Sequence, residues 1–391
     1  MIDRAQLLAE VDAFCQELRP VEELCYLERR FNDQLIPLAK KHGMLGLMAP
    51  IEFGGRGADA VTYAQALARI GREGTGVRTF FSGHCSIGQY PLGRHGTRAQ
   101  QTRYLLPSAT GEKILAFGLT EPDAGSNPLE LKTSYRREGN HFLLSGVKYL
   151  ISNGSIADAV IVFAYPAESP AEKRRMSAFI VDTGGPTFES EELPAKLGMP
   201  TANTGMFQMS EHPVPLENLL LDEGEGFRIA METLVSGRLS VAAGCLGVIE
   251  DCLAEVLDYC RTRAQHGKLI GQHQLVQQHV AQIELARAAC EPLLLRAAAE
   301  KQAADEAPDD RRLQAAADLR AAEAKYFASN AADDAADRAV QVFGGRGWST
   351  LYRVGRHLQD VRVCRIYEGT DEILQLKIAA ALLGKEFAAF G

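Results

Sequence analysis

The sequence predicts an α+β fold in three consecutive parts: an N-terminal helical domain, a middle antiparallel β domain and a C-terminal helical bundle. Three observations carry that expectation. Up to about residue 112, apolar residues recur at helical spacing. From Ile114 to about Leu221 the pattern changes to short apolar runs bounded by turn residues. From Gly226 onward long amphipathic runs return. Strands and helices do not alternate, which excludes a parallel α/β fold. The parts are placed at residues 1–112, 113–224 and 225–391, with no internal repeat.

In the first part, Leu7, Leu8, Val11, Phe14, Cys15 and Leu18 form one apolar stripe, and Leu35, Ile36, Leu38 and Ala39 begin a second. Gly43, Gly46, Pro50 and Gly54-Gly55-Arg56-Gly57 break the pattern into loops. The glycine cluster follows no strand and precedes no Gly-Lys-Ser/Thr, so it reads as a loop, not a phosphate cradle. In the second part, Ile114 to Leu119 is a buried-strand pattern. Thr133 to Arg137 and His141 to Leu144 flank a hairpin turn at Glu138-Gly139-Asn140. Ala159 to Ala164, Ala178 to Val181 and Gly205 to Met209 read as further strands. In the third part, helices are expected over Phe227 to Arg263, Gln272 to Gln302 and Arg311 to Phe343, with a last one after Thr370. Ala242, Ala243, Gly244 and Gly247 would allow close helix packing, giving an up-and-down bundle.

At 391 residues the chain can bury a substantial core. Its net charge of −8 argues against a general nucleic-acid binder. No apolar run reaches membrane-span length. The start of the chain lacks a signal-peptide core, and Asp3, Glu10, Asp12 and Glu17 do not suit a transit peptide. The eight cysteines contain no C-x-x-C pair and read as reduced, mostly buried thiols of a cytoplasmic protein. The nine histidines show no metal-ligand spacing.

Five stretches could carry chemistry. The most informative is Asp360 to Glu372, with Glu368 between Tyr367 and Gly369. Gly369 permits an unusual turn, and Thr370 suits a helix N-cap, with Asp371 and Glu372 at the helix's positive end. A carboxyl held there against Tyr367 and away from water would have a raised pKa and could act as a base near neutral pH. A surface turn would carry the same residues. Gly118 to Asn127 leaves a strand as a loop rich in hydroxyls and backbone N–H groups. Lys148 to Asp158 holds an Asn153-Gly154 turn. Arg261 to Lys268, followed by Gln272-His273-Gln274, sets basic residues at a helix break, suited to an anion or to solvent. Gln341 to Trp348 ends a helix in Gly344-Gly345, a common C-cap.

Taken together, T-E-P-x-A-G-S, I-S-N-G, R-x-x-x-G-K, Q-V-F-G-G-x-G and I-Y-E-G-T, in this order on an α–β–α chain, closely resemble the acyl-CoA dehydrogenase family of flavoenzymes. The resemblance runs from about Gly43 to Gly384. It implies a C-terminal four-helix bundle and an FAD whose ring lies between the β domain and the bundle. It implies that Leu119 and Thr120 hold the ring's pyrimidine edge and that Ser152 lies beside the ring. Ser126 would line the path of the thioester's pantetheine arm at the cofactor's edge. Arg263, Gln274, Gln341, Gly344 and Gly345 match positions that bind FAD across a dimer interface, and Thr370 and Glu372 match positions near its phosphates. Glu368 matches the catalytic base. A subset of the family carries that base at the position of Gly237, which cannot serve. Arg78, Arg238, Tyr367, Gly369 and Ser126 complete the implied substrate-binding set; no metal is implied. The chain departs from the family's pattern at Asn127, at Leu150 in place of a flavin-side Trp, and at His266 in place of a Phe. Ala379 and Ala380 stand where a CoA-contacting basic residue is common, and Trp348 lies elsewhere.

The resemblance implies FAD-dependent α,β-dehydrogenation of an acyl thioester, acyl-CoA in the leading reading. An electron-transfer flavoprotein would be the acceptor, and the assembly a homotetramer built as a pair of dimers. A second reading places the acyl or aminoacyl group on a carrier protein, which Arg136-Arg137 and Lys173-Arg174-Arg175 could meet. A third is a catalytically silent flavin-binding scaffold. Arg78 is expected on a helix facing the acyl pocket. There it would meet a polar or anionic acyl group, as in glutaryl-CoA dehydrogenases, or pair with Glu73, or face solvent.

Overall fold

The computed structural model describes residues 3–168 and 174–387. Asp3 caps helix α1 (Arg4–Glu28), accepting from the Ala5 and Gln6 amides. The helix buries Leu7, Val11, Phe14 and Leu18 on one face. Helix α2 (Leu35–Lys41) follows, then the glycine-rich loop. A side chain at Gly55 would run into the Ala49 backbone, which is why this loop requires glycine. Asp59 caps α3 (Ala60–Gly71). Helix α4 (Thr75–Phe81) runs without a break into a π-helical segment, Ser82–Gln89, and then α5 (Tyr90–His95). The short α6 (Arg98–Gln100) and α7 (Leu106–Ala109) complete the first helical segment.

The sheet is built from β1 (Leu115–Gly118), β2 (Ser134–Glu138), β3 (His141–Ser152), β4 (Ala159–Pro166), β5 (Ser177–Asp182), β6 (Phe188–Glu192), β7 (Thr204–Pro215) and β8 (Leu219–Leu220). Its strand order is β6-β7-β3-β2-β4-β5-β8, with β1 alongside β4. The expected hairpin is present, with Glu138 opposite His141 across Gly139-Asn140. The expectation of an antiparallel sheet needs correction at one strand. β4 runs parallel to both β1 and β2, whereas its pairing with β5 is antiparallel. The excursion through residues 119–158 is long enough to return the chain to the same end of the sheet, as a parallel pairing requires.

The second helical segment comprises α8 (Gly226–Thr262), a two-residue hairpin between β9 (Ala264–Gln265) and β10 (Lys268–Leu269), α9 (Gln274–Glu306), α10 (Arg311–Phe343), α11 (Arg353–Val361) and α12 (Asp371–Leu383). α10 packs along both α8 and α9, and α12 packs on α10. The glycines of α8 permit contact at backbone distance: a Cβ on Gly71 of α3 would lie 2.7 Å from Gly244 Cα. Residues of α1, α3, α4, α8, α10 and α11 share one hydrophobic cluster, so the two helical segments are fused through a common core. No helix among the described residues is long and apolar enough to cross a membrane. All eight cysteines are free and buried.

Candidate active site

Glu368 sits between a short 3-10 turn, Arg362–Arg365, and α12. Thr370 is the N-cap of α12, its hydroxyl accepting from the Ile373 amide at 3.3 Å. The turn itself is left-handed at two successive residues, Glu368 at φ 55° and Gly369 at φ 96°. Glycine tolerates this; glutamate does not without compensation of about 1–2 kcal/mol. Two cations hold the turn from outside. Arg238 Nε on α8 donates to the Glu368 carbonyl at 3.3 Å, and Lys325 Nζ on α10 donates to the Gly369 carbonyl at 2.6 Å. Arg238 is itself fixed by Asp318 at 2.8 Å, which also pairs with Lys377 at 2.5 Å.

The Glu368 carboxyl lies against Gly237 of α8. A Cβ on that glycine would come within 2.6 Å of Glu368 Cδ and 2.8 Å of Oε1. Glu368 Oε2 is buried and has no hydrogen-bond partner. Burial pushes the carboxyl up to about 7, against the opposing pull of Arg238, Lys325 and Arg78. The Glu368 amide donates to no backbone acceptor among the described residues.

Arg78 projects from α4 into the same region and is 1% exposed. Its guanidinium lies over the Tyr367 ring, 5.5 Å from the centroid, and donates to the Tyr367 hydroxyl. Cys364 Sγ is 3.9 Å from Arg78 Nη2 and 3.3 Å from the Tyr367 hydroxyl. Arg78 Nε has no partner. Glu73 is engaged elsewhere, by Arg19 at 2.7 Å and Arg353 at 3.9 Å. Gly244 makes room for Arg78: a Cβ there would lie 2.6 Å from Nε. Gly237 and Gly244 are seven residues apart, about two turns, so one face of α8 is hollowed for both the carboxyl and the guanidinium.

Leu119, Thr120 and Ser126 lie on the loop leaving β1. The Leu119 and Thr120 amides find no backbone acceptor among the described residues, while the Thr120 carbonyl accepts from the Tyr149 amide. Beneath this loop is a buried ion pair, Lys148 Nζ to Glu121 Oε1 at 2.8 Å, with Lys148 also donating to the Leu119 carbonyl at 3.2 Å. Burial lowers Lys148 to about 8, with Glu121 pulling the other way. Ser152 ends β3 and packs near Gly83 of the π-helical segment. The next residue, Asn153, donates to the Phe80 carbonyl at 3.1 Å and leaves its buried Oδ1 unpartnered.

Arg263 and the 341–345 segment are elsewhere. Arg263 is 26 residues along α8 from Gly237, roughly 39 Å at 1.5 Å per residue. It lines a surface cleft of about 520 Å³ with Tyr259, Phe343 and Arg346. Gln341, Gly344 and Gly345 are exposed, Gln274 opens α9, and Glu372 is exposed in the first turn of α12. The predicted residues therefore fall into three groups: one around Glu368, one on the loop after β1 and the end of β3, and one at the far end of α8.

The departures have local explanations. Asn127 caps a short turn, accepting from the Leu129 amide at 3.1 Å. His266 at φ 51° and Gly267 at φ 75° form the two-residue turn between β9 and β10, a conformation histidine tolerates better than phenylalanine. Leu150 is exposed at φ 58°, and Trp348 is 89% exposed. Of the basic residues considered for a carrier protein, Arg136 is paired with Glu138 and with Glu211 at 2.8 Å, Arg174 stacks on Tyr165, and Lys173 lies outside the described residues. Sequence reasoning missed Lys325 and the Lys148–Glu121 pair, and it read Gly244 for helix packing but not for the room it gives Arg78. Lys325 had a signal: it falls among Ala321, Ala324, Ala328 and Ala332 on the apolar face of its helix, where an unpaired charge is out of place.

Three family models match the chain in succession: acyl-CoA dehydrogenase N-terminal domain over residues 3–112, middle domain over 116–212 and C-terminal domain over 224–383. The chain is 37% identical over 369 residues to an acyl-CoA dehydrogenase of Bacillus subtilis (strain 168), covering 94% of each. It is 34% identical over 366 residues to a short-chain-specific acyl-CoA dehydrogenase of Clostridium acetobutylicum, again covering 94% of each. Among solved structures, it superposes on a chain from the electron transferring flavoprotein study of Acidaminococcus fermentans with a TM-score of 0.92 at 33% identity, covering 98% of both. It superposes on a glutaryl-CoA dehydrogenase of Mycobacterium smegmatis in complex with FADH2 with a TM-score of 0.86 at 27% identity, covering 100% of this chain and 96% of that one.

Proposed function

The chain belongs to the acyl-CoA dehydrogenase family, and from that premise we propose how its own residues carry out the reaction. It is an FAD-dependent oxidoreductase that dehydrogenates an acyl thioester between Cα and Cβ. The residues present fit the cofactor. The Leu119 and Thr120 amides lack backbone acceptors, Asn153 Oδ1 is orphaned, and Arg263 opens onto a cleft without an ion pair among the described residues. Leu119, Thr120 and Ser152 would hold the flavin ring. Thr370 and Glu372 would lie near the phosphates, and Arg263, Gln274, Gln341, Gly344 and Gly345 would hold the rest from a neighbouring subunit. When bound, FAD supplies the acceptor for the hydride that leaves Cβ.

The single observation that carries the mechanism is the Glu368 carboxyl: buried, lacking a partner at Oε2, lifted to about 7 and facing the hollow at Gly237. Glu368 takes the α proton onto its carboxylate. The Glu368 amide, free of backbone partners, donates to the thioester carbonyl and stabilises the negative charge that develops there. Arg238 and Lys325 hold the two carbonyls of the turn, so the base and this N–H keep their relative position. Ser126 lines the pantetheine path. The test is Glu368→Gln, which should retain FAD and ligand binding but lose bleaching of the flavin by acyl-CoA, a loss of order 10²–10⁴. Full bleaching in this variant would place the base elsewhere.

We assign acyl-CoA as the thioester ahead of a carrier-protein conjugate, because relatives matched over 94% of the chain are acyl-CoA dehydrogenases; Arg136 is neutralised by Glu138 and Glu211, whereas Arg137 is exposed without an ion pair among the described residues. An electron-transferring flavoprotein is the proposed electron acceptor and a cytoplasmic homotetramer the proposed assembly. The roughly 39 Å between Arg263 and Gly237 supports a site completed by a second copy. A silent scaffold has no use for a carboxyl held near neutrality. The buried, carboxylate-free Arg78 favours a short acyl group ending in a polar or anionic function over a plain long chain. Comparing flavin reduction by butyryl-, long-chain and glutaryl-CoA in wild type and Arg78→Ala tests this. An unchanged preference in the variant removes Arg78 from substrate recognition.

A further inference from the structure

Lys325 is fully buried on α10, and its one hydrogen-bond acceptor among the described residues is the Gly369 carbonyl at 2.6 Å. No carboxylate forms an ion pair with it there. Burying an ammonium against a single neutral carbonyl is costly, and a methionine of similar length would fill the space without that cost. The charge therefore calls for an explanation beyond packing. The carbonyl it holds belongs to the second of two left-handed residues, the first of which is Glu368. Arg238 holds the first carbonyl of the same pair from α8, at the longer distance of 3.3 Å.

We propose that Lys325 is a positioning residue for Glu368: its ammonium pins the Gly369 carbonyl, fixes the left-handed turn, and so aims the Glu368 carboxyl into the hollow at Gly237. The proposal rests on the reading of Glu368 as the base. The ammonium also acts on the carboxyl through space. The charged groups facing Glu368 are Arg238 on α8, Lys325 on α10 and Arg78 on α4, all cationic, and all oppose the upward push of burial. Lys325 in turn is faced by Cys364, Cys245, Asp371 and Glu368. Asp371 is already engaged by Arg365 at 2.8 Å and Asn330 at 3.2 Å. Removing the ammonium thus loosens the turn and lets the carboxyl titrate higher.

The test uses the FAD-loaded enzyme with Lys325→Met and Lys325→Arg. Two quantities are read: the rate of flavin bleaching by butyryl-CoA against its KM, and the titration of the Glu368 carboxyl by infrared difference between each protein and its Glu368→Gln counterpart. Lys325→Met should lower kcat by about tenfold or more with KM little changed, and raise the carboxyl's titration midpoint by about one pH unit. Lys325→Arg, which keeps the charge, should hold the midpoint near wild type and recover part of kcat. Wild-type kcat and midpoint in Lys325→Met would overturn the proposal, as would identical behaviour of the two variants. If Lys325→Met does not fold, Lys325→Gln takes its place, with the same expected rise in the midpoint and the same refutation. Failure of the base reading is distinguished separately, because Glu368→Gln alone would then still bleach the flavin.

Discussion

Gly237→Ala puts one methyl group where the Glu368 carboxyl now lies. The added Cβ would be 2.6 Å from Glu368 Cδ, and carbon atoms settle at about 3.5 Å. The carboxyl must therefore retreat by about 0.9 Å. It cannot do so by moving the backbone freely, because Arg238 and Lys325 clamp the carbonyls on either side of Gly369 N. A displacement of about 1 Å at a reacting group costs on the order of 100-fold in rate. Stability should change far less. Alanine gains about 1 kcal/mol of helix propensity over glycine at this helix-interior position, against about 1–3 kcal/mol of overpacking. The assay is stopped-flow bleaching of the flavin by butyryl-CoA, alongside thermal unfolding and FAD content. The expected result is bleaching slowed about 100-fold in a protein that keeps its FAD and melts within several degrees of wild type. Bleaching within twofold of wild type would show that the carboxyl does not work from the hollow at Gly237.

Three further outcomes are expected. Glu368 must be ionised to accept a proton, and burial raises it from the ordinary 4.5 to about 7; the bleaching rate should therefore rise about tenfold per pH unit below 7 and level off above it, whereas a limb centred near 4.5 would contradict the burial argument. Lys148→Met removes the cation from the buried Glu121 carboxylate, which keeps its hydrogen bonds from the Lys132 and Thr133 amides and the Thr133 hydroxyl; this should cost about 1–3 kcal/mol and lower the thermal midpoint, and an unchanged midpoint would show that the pair is not a buried prop for the 119–126 loop. Arg263→Ala should weaken FAD retention roughly tenfold to a hundredfold without changing how Glu368 titrates, and light scattering should give a tetramer for wild type. A monomer that holds FAD tightly would refute a site completed by a neighbour.

Much of the architecture was legible because periodicity reports directly on burial. The expected helix over Arg311 to Phe343 matches α10 residue for residue, and its alanines form the buried face. The Glu138-Gly139-Asn140 turn was readable because a two-residue hairpin needs glycine or asparagine at positive φ, and Gly139 stands at φ 57°. The parallel runs of β1 and β2 beside β4 were not readable. Strand direction depends on where a long excursion re-enters the sheet, and no local pattern encodes that.

The same division holds at the site. By itself, the sequence determined the local chemistry: a glutamate before a glycine and a threonine cap, a hydroxyl-rich loop after a strand, and a run of motifs whose order identifies the family. Those features depend on neighbours in the chain. Only the tertiary structure decided which distant groups meet there. Gly237 faces Glu368 across 131 positions, Lys325 reaches back to Gly369, and Arg78 finds Tyr367 and Cys364 but not Glu73. Such pairings follow from how α4, α8 and α10 cross and from which glycines let them approach. The pKa of the carboxyl depends on them, because desolvation and three nearby cations are properties of the packed site and not of the peptide that carries it.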